Sequence, residues 1–589
     1  MPLGMATSTI KHMNSTPSAA PPAYVGSHEG YDVLVVGGGI NGAGIARDLA
    51  GRGWRVLLAE KDDLASHTSS SSTKLIHGGL RYLEHRAFGL VRKALQEREV
   101  LLKSAPHIMR PLRFVMPHDM AMRPAWLIRL GLFLYDHLAR REILPGSRGL
   151  KLKGHPLGTP LHARYTRGFI YSDGWVDDAR LVVLNAIDAR ERGAEVLTRT
   201  RCTQARRDSG TWAVDLQSEG PAGGQRSVTV RARVLVNAAG PWAKQFLSDT
   251  AKDGTGQGGQ ALTTHHLRLV KGSHIVVPQV FTHDHAYIFQ APDGRIIFAI
   301  PYEGRFTLIG TTDVDMPTMP DQASISQDEV SYLCEQASRY FKKPLHPRDV
   351  LWTYAGVRPL LEDAAADASA VTRDYMLETN VSGAPLMTVW GGKITTYRKL
   401  AEQAADQIGE MLQAQGVVPA LTSSPAAAWT EKAVLPGGDL SSWSFASVAG
   451  NDLGLTAFVG RAQARYPWLP VPTLRRWAQA YGTRMEQVMG SANNVADLGP
   501  TDVPGLYLAE LRYLIDQEWA RTADDVLWRR SKLGLHLKPE HQALVPDLMA
   551  GLLPPSGAQC AVQGVVQSDH LQRELVPGIE VDHGPRQLV

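Results

Sequence analysis

Residues 31–60 read YDVLVVGGGINGAGIARDLAGRGWRVLLAE, and this stretch decides the fold. Val33-Leu34-Val35-Val36 is an unbroken run of β-branched residues and Leu, as expected for a parallel strand buried on both faces. Glycines follow at once. Asn41 to Ala50 is Ala-rich and suits a helix, and Val56-Leu57-Leu58-Ala59 is a second apolar run ending in Glu60. Strand, glycine turn, helix and strand in this order make one βαβ unit. Gly37, Gly39 and Gly42 form a GxGxxG, and Glu60 lies 21 residues beyond Gly39. In such a turn the first glycine makes the tight bend and the second lets backbone amides approach a pyrophosphate. The third allows close helix–strand packing, so that the helix N-terminus meets the phosphate charge. Glu60 is spaced to accept hydrogen bonds from a ribose. Ala46 and Gly53, at a spacing common in flavoproteins, favour FAD over NAD.

Outward from this unit, composition sets bounds. The chain has 589 residues, 62 Lys+Arg against 58 Asp+Glu, 44% hydrophobic and 20% charged residues. These fractions exclude a disordered, collagen-like or coiled-coil chain, and the length predicts about three domains. Cys202, Cys334 and Cys560 are widely spaced. They exclude a disulfide framework, a thiolate zinc site and an iron–sulfur cluster, and suit a reducing cytoplasm. The most apolar run, Ala125 to Leu138, is broken by Arg129 and Asp136 and falls short of the ~20 residues a bilayer needs. Met1 to Gly30 is rich in Ser, Thr, Pro and Ala and reads as a flexible tail. From Arg81 to Arg167 there are 17 Lys+Arg against 6 Asp+Glu. That excess is either a solvated face or a surface aimed at something anionic: a phosphorylated substrate, a nucleic acid or a membrane leaflet.

The pattern predicts an amphipathic helix over Leu83 to Lys103. Strands are expected at Val234–Val236, His274–Val277, Arg295–Phe298 and Leu308–Gly310, with a glycine-rich loop at Asp253 to Gly259, so residues 200–400 read as a mixed domain with a substantial sheet. A linker at 416–430 is expected to precede a helical domain over 431–545, with helices at Tyr507–Trp519 and from a Thr522 cap through Arg529. Residues 546–589 read as a loosely held tail. His265, His266, His283 and His285 lack partners spaced to complete a ligand set, so no metal is expected.

Further motifs add chemistry. SSTKLIHGGLRYLEH (71–85), YSDGWVDDARL (171–181), NAAGPWAKQF (237–246), KGSHIVVP (271–278), IGTTDVD (309–315), WTYAGVRPL (352–360), TRDY (372–375) and GGKITTYRKLAE (391–402) follow GGGINGAGIARD (37–48) in order. From Tyr31 to about Gly534 the chain resembles the FAD-dependent, quinone-linked glycerol-3-phosphate dehydrogenases of the amino-acid-oxidase-like flavoprotein superfamily. The resemblance implies an α/β plus α architecture. A Rossmann-like FAD-binding domain is interleaved with a mixed α+β substrate domain over 31–415, and a helical C-terminal domain follows.

Oxidising glycerol 3-phosphate to dihydroxyacetone phosphate requires a phosphate holder, a base for the C2 hydroxyl proton and FAD to receive the C2 hydride. The resemblance places Arg81, Tyr82, Arg358 and Arg373 around the substrate, and arginine's planar fork suits phosphate oxygens. His274 is the expected base, since imidazole accepts a proton near neutrality; Arg358 and Lys393 would stabilise the alkoxide. The lysine could serve flavin or substrate. FAD, bound without a covalent link, is expected against Gly37, Gly39, Ile40, Asn41, Gly42, Glu60, Ser71, Ser72, Lys74, His77, Gly78, Gly79, Ala239, Gly240, Gly392, Ile394 and Thr395. The implied partners are a ubiquinone-type acceptor and an anionic membrane surface, with a homodimer left open. The implied location is the cytoplasmic face of the inner membrane, peripherally attached. An oxidase of related fold acting on an amino acid is a competing reading, which the cationic cluster disfavours. A non-catalytic flavin- or nucleic-acid-binding module is another, but no RNA-recognition motif accompanies the basic segment.

Overall fold

The computed structural model describes residues 30–553, apart from 120–122, 220–223, 254–259, 262–264, 266, 321, 362–373, 420–426 and 444–452. The expected tail before Gly30, residues 554–589 of the tail expected from 546, most of the glycine-rich loop, and Arg373 lie outside the described residues; the start of that second tail instead belongs to the helix Val545–Ala550, with Met549 buried in the C-terminal core. The chain begins β1 (Tyr31–Val36), α1 (Ile40–Gly51), β2 (Val56–Ala59), β3 (Leu75–Ile76) and α2 (Phe88–Ser104). It continues through β4 (Met109–His118), α3 (Ala125–His137), β5 (Arg148–Lys151), β6 (Arg167–Val176) and α4 (Asp178–Glu191).

Among the described residues the strands form two ten-stranded sheets. In the first, β1 pairs in parallel with β2 and with the strand Gln225–Asn237, which pairs in parallel with Leu386–Gly391. The apolar run at 33–36 is continuous because both sides of β1 are covered. Val33 and Val35 join a core with α1, α4 and the helix Tyr397–Ala414, while Leu34 and Val36 join Trp212, Leu235 and Trp390 on the opposite face. Gly44 lets α1 approach that later helix, since a Cβ there would lie 2.9 Å from the Tyr397 ring.

The second sheet is mixed. Its strand Leu267–Pro278 runs antiparallel to Trp352–Leu361, with Tyr354 opposite His274, and to Phe306–Gly310, with Gly310 also opposite His274. The Rossmann-like and mixed parts are therefore interleaved along the chain. At one expected helix the boundary changes. The helix expected from Leu83 begins as a separate 3-10 turn, Leu80–Leu83, and resumes as α2 after Arg86 adopts a left-handed φ of 56°. The helix Tyr397–Ala414 is entered through a 3-10 turn, Ile394–Thr396.

Beyond Leu440 the helices enclose their own core, including Phe458, Trp477, Tyr481, Leu511 and Leu514. The helix Leu508–Glu518 is followed by Asp525–Arg530, a π-type turn, whose first amide donates to Thr522 Oγ1 at 3.3 Å. Buried ion pairs join this domain to the rest. Arg180 Nη2 donates to Glu518 Oε1 at 2.9 Å, and Arg530 donates to Asp63 at 2.6 and 2.7 Å. Within the segment expected to link the domains, Trp429 Nε1 donates to Asp48 O and Thr430 Oγ1 to Asp48 Oδ2, both at 3.1 Å.

Candidate active site

The glycine turn builds one end of the site. Gly37 has a φ of 109°, and a Cβ there would lie 2.5 Å from Ala238 O. At Gly42 it would lie 1.9 Å from Gly37 O, so a side chain would drive α1 off the turn. Gly39 is the N-cap of α1, whose first turn carries no acidic residue, leaving its positive end uncontested. Glu60, buried at the end of β2, accepts from Gly38 N at 2.6 Å and Asp62 N at 2.8 Å. Burial raises its pKa, which those backbone bonds oppose. These groups open onto a cavity of about 1580 Å³, beyond the roughly 300–1,000 Å³ of an ordinary small-ligand pocket. Backbone amides without side chains, an unopposed helix N-terminus and a buried carboxylate fit a dinucleotide such as FAD.

The second sheet supplies the other end of the same cavity. His274 is buried, with its ring stacked on Tyr354 at 4.7 Å and 13° and Nε2 2.9 Å from Thr73 Oγ1. Burial, reinforced by the charges of Lys74 and Arg358, holds its pKa well below 6.5, so the imidazole is neutral at pH 7. Arg358 pairs with Asp313 at 2.7 Å and donates to Thr312 O at 2.9 Å. On the neighbouring strand, Gly272 leaves the room the guanidinium needs: a Cβ there would lie 2.4 Å from Arg358 Nη2. Lys393 follows Gly391 and Gly392, both at positive φ, and its Nζ lies 3.8 Å from the centre of the Tyr82 ring. Arg81, Tyr82, His274, Arg358 and Lys393 all line the cavity.

The expected cofactor residues divide. Gly37, Gly39, Ile40, Asn41, Glu60, Ser71, Ser72, His77, Gly79, Ala239, Gly240, Gly392, Ile394 and Thr395 line the cavity. Gly42 acts behind it, through packing. Gly78 also stands back from it: its amide donates to Tyr135 OH at 2.8 Å, and a Cβ would meet Leu95 at 2.4 Å. Lys74 reaches the lining, but its ammonium is committed to Asp178 at 2.7 Å and to Ser70 O at 3.0 Å. Ser72 Oγ donates to the same carboxylate at 2.7 Å. The Lys74 ammonium and the Gly78 amide are thus both bonded to protein. Of the four histidines not expected to hold a metal, His283 bonds Tyr287 OH at 2.8 Å.

Several participants escape a reading of the sequence. Thr73 and Tyr354 lie inside the motifs, yet their contact with His274 depends on pairing across long separations. Asp313 likewise meets Arg358 only in the folded sheet. Trp528, Arg529 and Lys532 of the C-terminal helices also line the cavity, with nothing local to announce it.

Comparison with known proteins shows the family. Residues 32–398 match the FAD dependent oxidoreductase family, and 428–554 match the C-terminal domain of alpha-glycerophosphate oxidase. A glycerol-3-phosphate dehydrogenase from Pseudomonas aeruginosa is 51% identical over 90% of this chain and 95% of its own. A D-erythritol 1-phosphate dehydrogenase from Brucella abortus is 47% identical over 87% and 96%. The crystal structure of a glycerol-3-phosphate dehydrogenase from Bacillus halodurans complexed with FAD superposes with a TM-score of 0.65 at 26% identity, covering 89% of this chain and 95% of that one. The chain belongs to the FAD-dependent oxidoreductases and, among them, to the glycerol-3-phosphate dehydrogenase family.

Proposed function

We propose that this protein oxidises sn-glycerol 3-phosphate to dihydroxyacetone phosphate and passes the electrons to a ubiquinone-type acceptor. One observation carries the reading: a neutral, buried imidazole and the cations Arg81, Arg358 and Lys393 share a single cavity with the dinucleotide cradle. In this reading Arg81, Tyr82 and Arg373 hold the phosphate. His274 takes the C2 hydroxyl proton, and Arg358 and Lys393 stabilise the developing alkoxide. The negative charge of the phosphate opposes the fields of Lys74 and Arg358, which raises the proton affinity of His274 when substrate binds. FAD, held without a covalent bond, supplies the acceptor for the C2 hydride.

The name of the Brucella relative supports a second reading, a longer polyol 1-phosphate as substrate. The test is the absorbance of the purified holoenzyme without oxygen. Glycerol 3-phosphate should bleach the flavin band within seconds, and erythritol 1-phosphate should do so more slowly. Bleaching by the four-carbon compound alone would replace the first reading by the second.

The membrane enters through α3. Trp126, Leu127, Leu130 and Phe133 lie on one exposed face of it, Trp126 being 68% exposed, while Leu132 and Tyr135 hold the inner face. Among the described residues no helix is long and apolar enough to cross a membrane. Arg140, Arg148, Lys151 and Lys153, just beyond the helix, are exposed. An apolar face with a cationic flank is how interfacial helices engage anionic lipid. In this reading the protein attaches peripherally to the cytoplasmic face of the inner membrane, where its acceptor resides.

A further inference from the structure

A line of four rings runs from the C-terminal domain into the cavity. Trp528 stacks on Trp352 at 4.7 Å and 15°, and Trp352 meets Tyr354 at 5.0 Å and 43°. Tyr354 then stacks on His274 at 4.7 Å. The strand Trp352–Leu361 carries the two middle rings two residues apart, so both stand on one face of the sheet. The outer end is fixed rather than free. A Cβ on Gly534 would lie 2.5 Å from the Trp528 ring, so the indole is packed flat against that glycine. Trp528 O accepts from Lys532 Nζ at 2.7 Å. The next two residues, Arg529 and Arg530, both bind Asp63 at 2.6 Å. Asp63 belongs to the loop after Glu60, so the turn carrying Trp528 is anchored to the cofactor end of the cavity while its indole braces the substrate end.

We propose that the C-terminal domain is part of the catalytic apparatus and that Trp528 is a positioning residue, which holds Tyr354 and through it the ring plane of His274. Trp528 acts on the reacting centre through two intervening rings. Its loss leaves Tyr354 bound to Ser72 O at 2.8 Å but removes the packing behind Trp352. A base displaced by a fraction of an ångström from the attack geometry loses rate steeply, and a loss of about tenfold in kcat is expected here. The proposal rests on the reading of His274 as the base, so each is tested by its own variant.

Trp528→Leu and Trp528→Phe holoenzymes should both keep full flavin content. The Leu variant should show kcat lowered about tenfold with KM for glycerol 3-phosphate changed by less than about threefold, and Phe should restore most of the loss because it can stack. Wild-type kcat in the Leu variant overturns the proposal. So does equal impairment by Leu and Phe, which marks loss of bulk rather than of stacking. A change confined to KM overturns it too, by placing the indole on the substrate instead. His274→Asn is read separately. Retained turnover there overturns the base reading, and the kcat of the Trp528 variants still decides whether the C-terminal ring sets the rate.

Discussion

Arg358 is held in place before any substrate arrives, by Asp313 and by the Thr312 carbonyl. A preorganised cation needs no rearrangement when negative charge develops beside it, so Arg358→Ala should lower kcat by ~10²–10³ while flavin content stays full. Normal kinetics in that variant would remove Arg358 from the site. His274 makes a prediction of opposite character. It is faced by Thr73, Lys74, Tyr354 and Arg358, and its pKa lies well below 6.5. A base is active when unprotonated, so kcat/KM, which reports the free enzyme, should stay flat as pH falls through 6.5 and drop only at lower pH. Once the second ionisation of the substrate phosphate, at about pH 6, is divided out, a remaining acid limb at 6.5 or above would show that the imidazole is solvated, contrary to its packing. At this scale sequence reading succeeds where chemistry is local. Gly37, Gly39 and Glu60 are legible because turn, strand end and spacing fall within 30 residues. The ion pair of Lys74 is not legible, because its partner Asp178 lies 104 positions away, and nothing in a hydroxyl-rich run reveals which side chains already have protein partners.

Among the elements, α3 carries its inner and outer faces in one short sequence. Residues 126, 127, 130 and 133 point outward, and the basic residues after it extend the same exposed stretch. Each basic residue near an anionic leaflet contributes about 1 kcal/mol. The protein should therefore sediment with anionic vesicles and much less with neutral ones. Changing Arg140, Arg148, Lys151 and Lys153 to Gln should abolish the difference, and Trp126→Ser with Phe133→Ser should weaken both. Equal binding to both vesicle types, unaltered by the Gln set, would exclude an electrostatic attachment. Arg141 is left out of the set because Asp136 already holds it at 3.1 Å. That pair sits at positions i and i+5 in a turn leaving the helix, which periodicity does not describe. The regular elements themselves are well marked. β1, α1 and β2 begin and end within two residues of the apolar and glycine signals, whereas the break at Arg86 comes from a left-handed φ that its residue type does not announce.

For the whole molecule, the C-terminal domain is attached through buried charge. Arg180 and Glu518 are both fully enclosed at the junction, 338 residues apart. Removing Arg180 leaves the Glu518 carboxylate buried with only the longer pair to Arg530 at 3.9 Å, so Arg180→Met should cost about 3–5 kcal/mol in denaturant unfolding. Adding Glu518→Leu should recover most of that. A single variant as stable as wild type would show that water reaches the junction. The domain's existence is readable from the compositional shift after Gln415, but its contribution of Trp528 to the cavity is not, because that depends on docking. The first sheet carries a related consequence for the order in which the protein is made. Its central strands come from 31–36, 225–237 and 386–391, so the ribosome must release nearly 400 residues before the strand Gln225–Asn237 has its full set of neighbours. At roughly 5–20 residues per second that is about 20–80 s. Throughout it the nascent chain holds an apolar, unpaired strand edge, so the early segments require shelter from one another long before the last helices emerge.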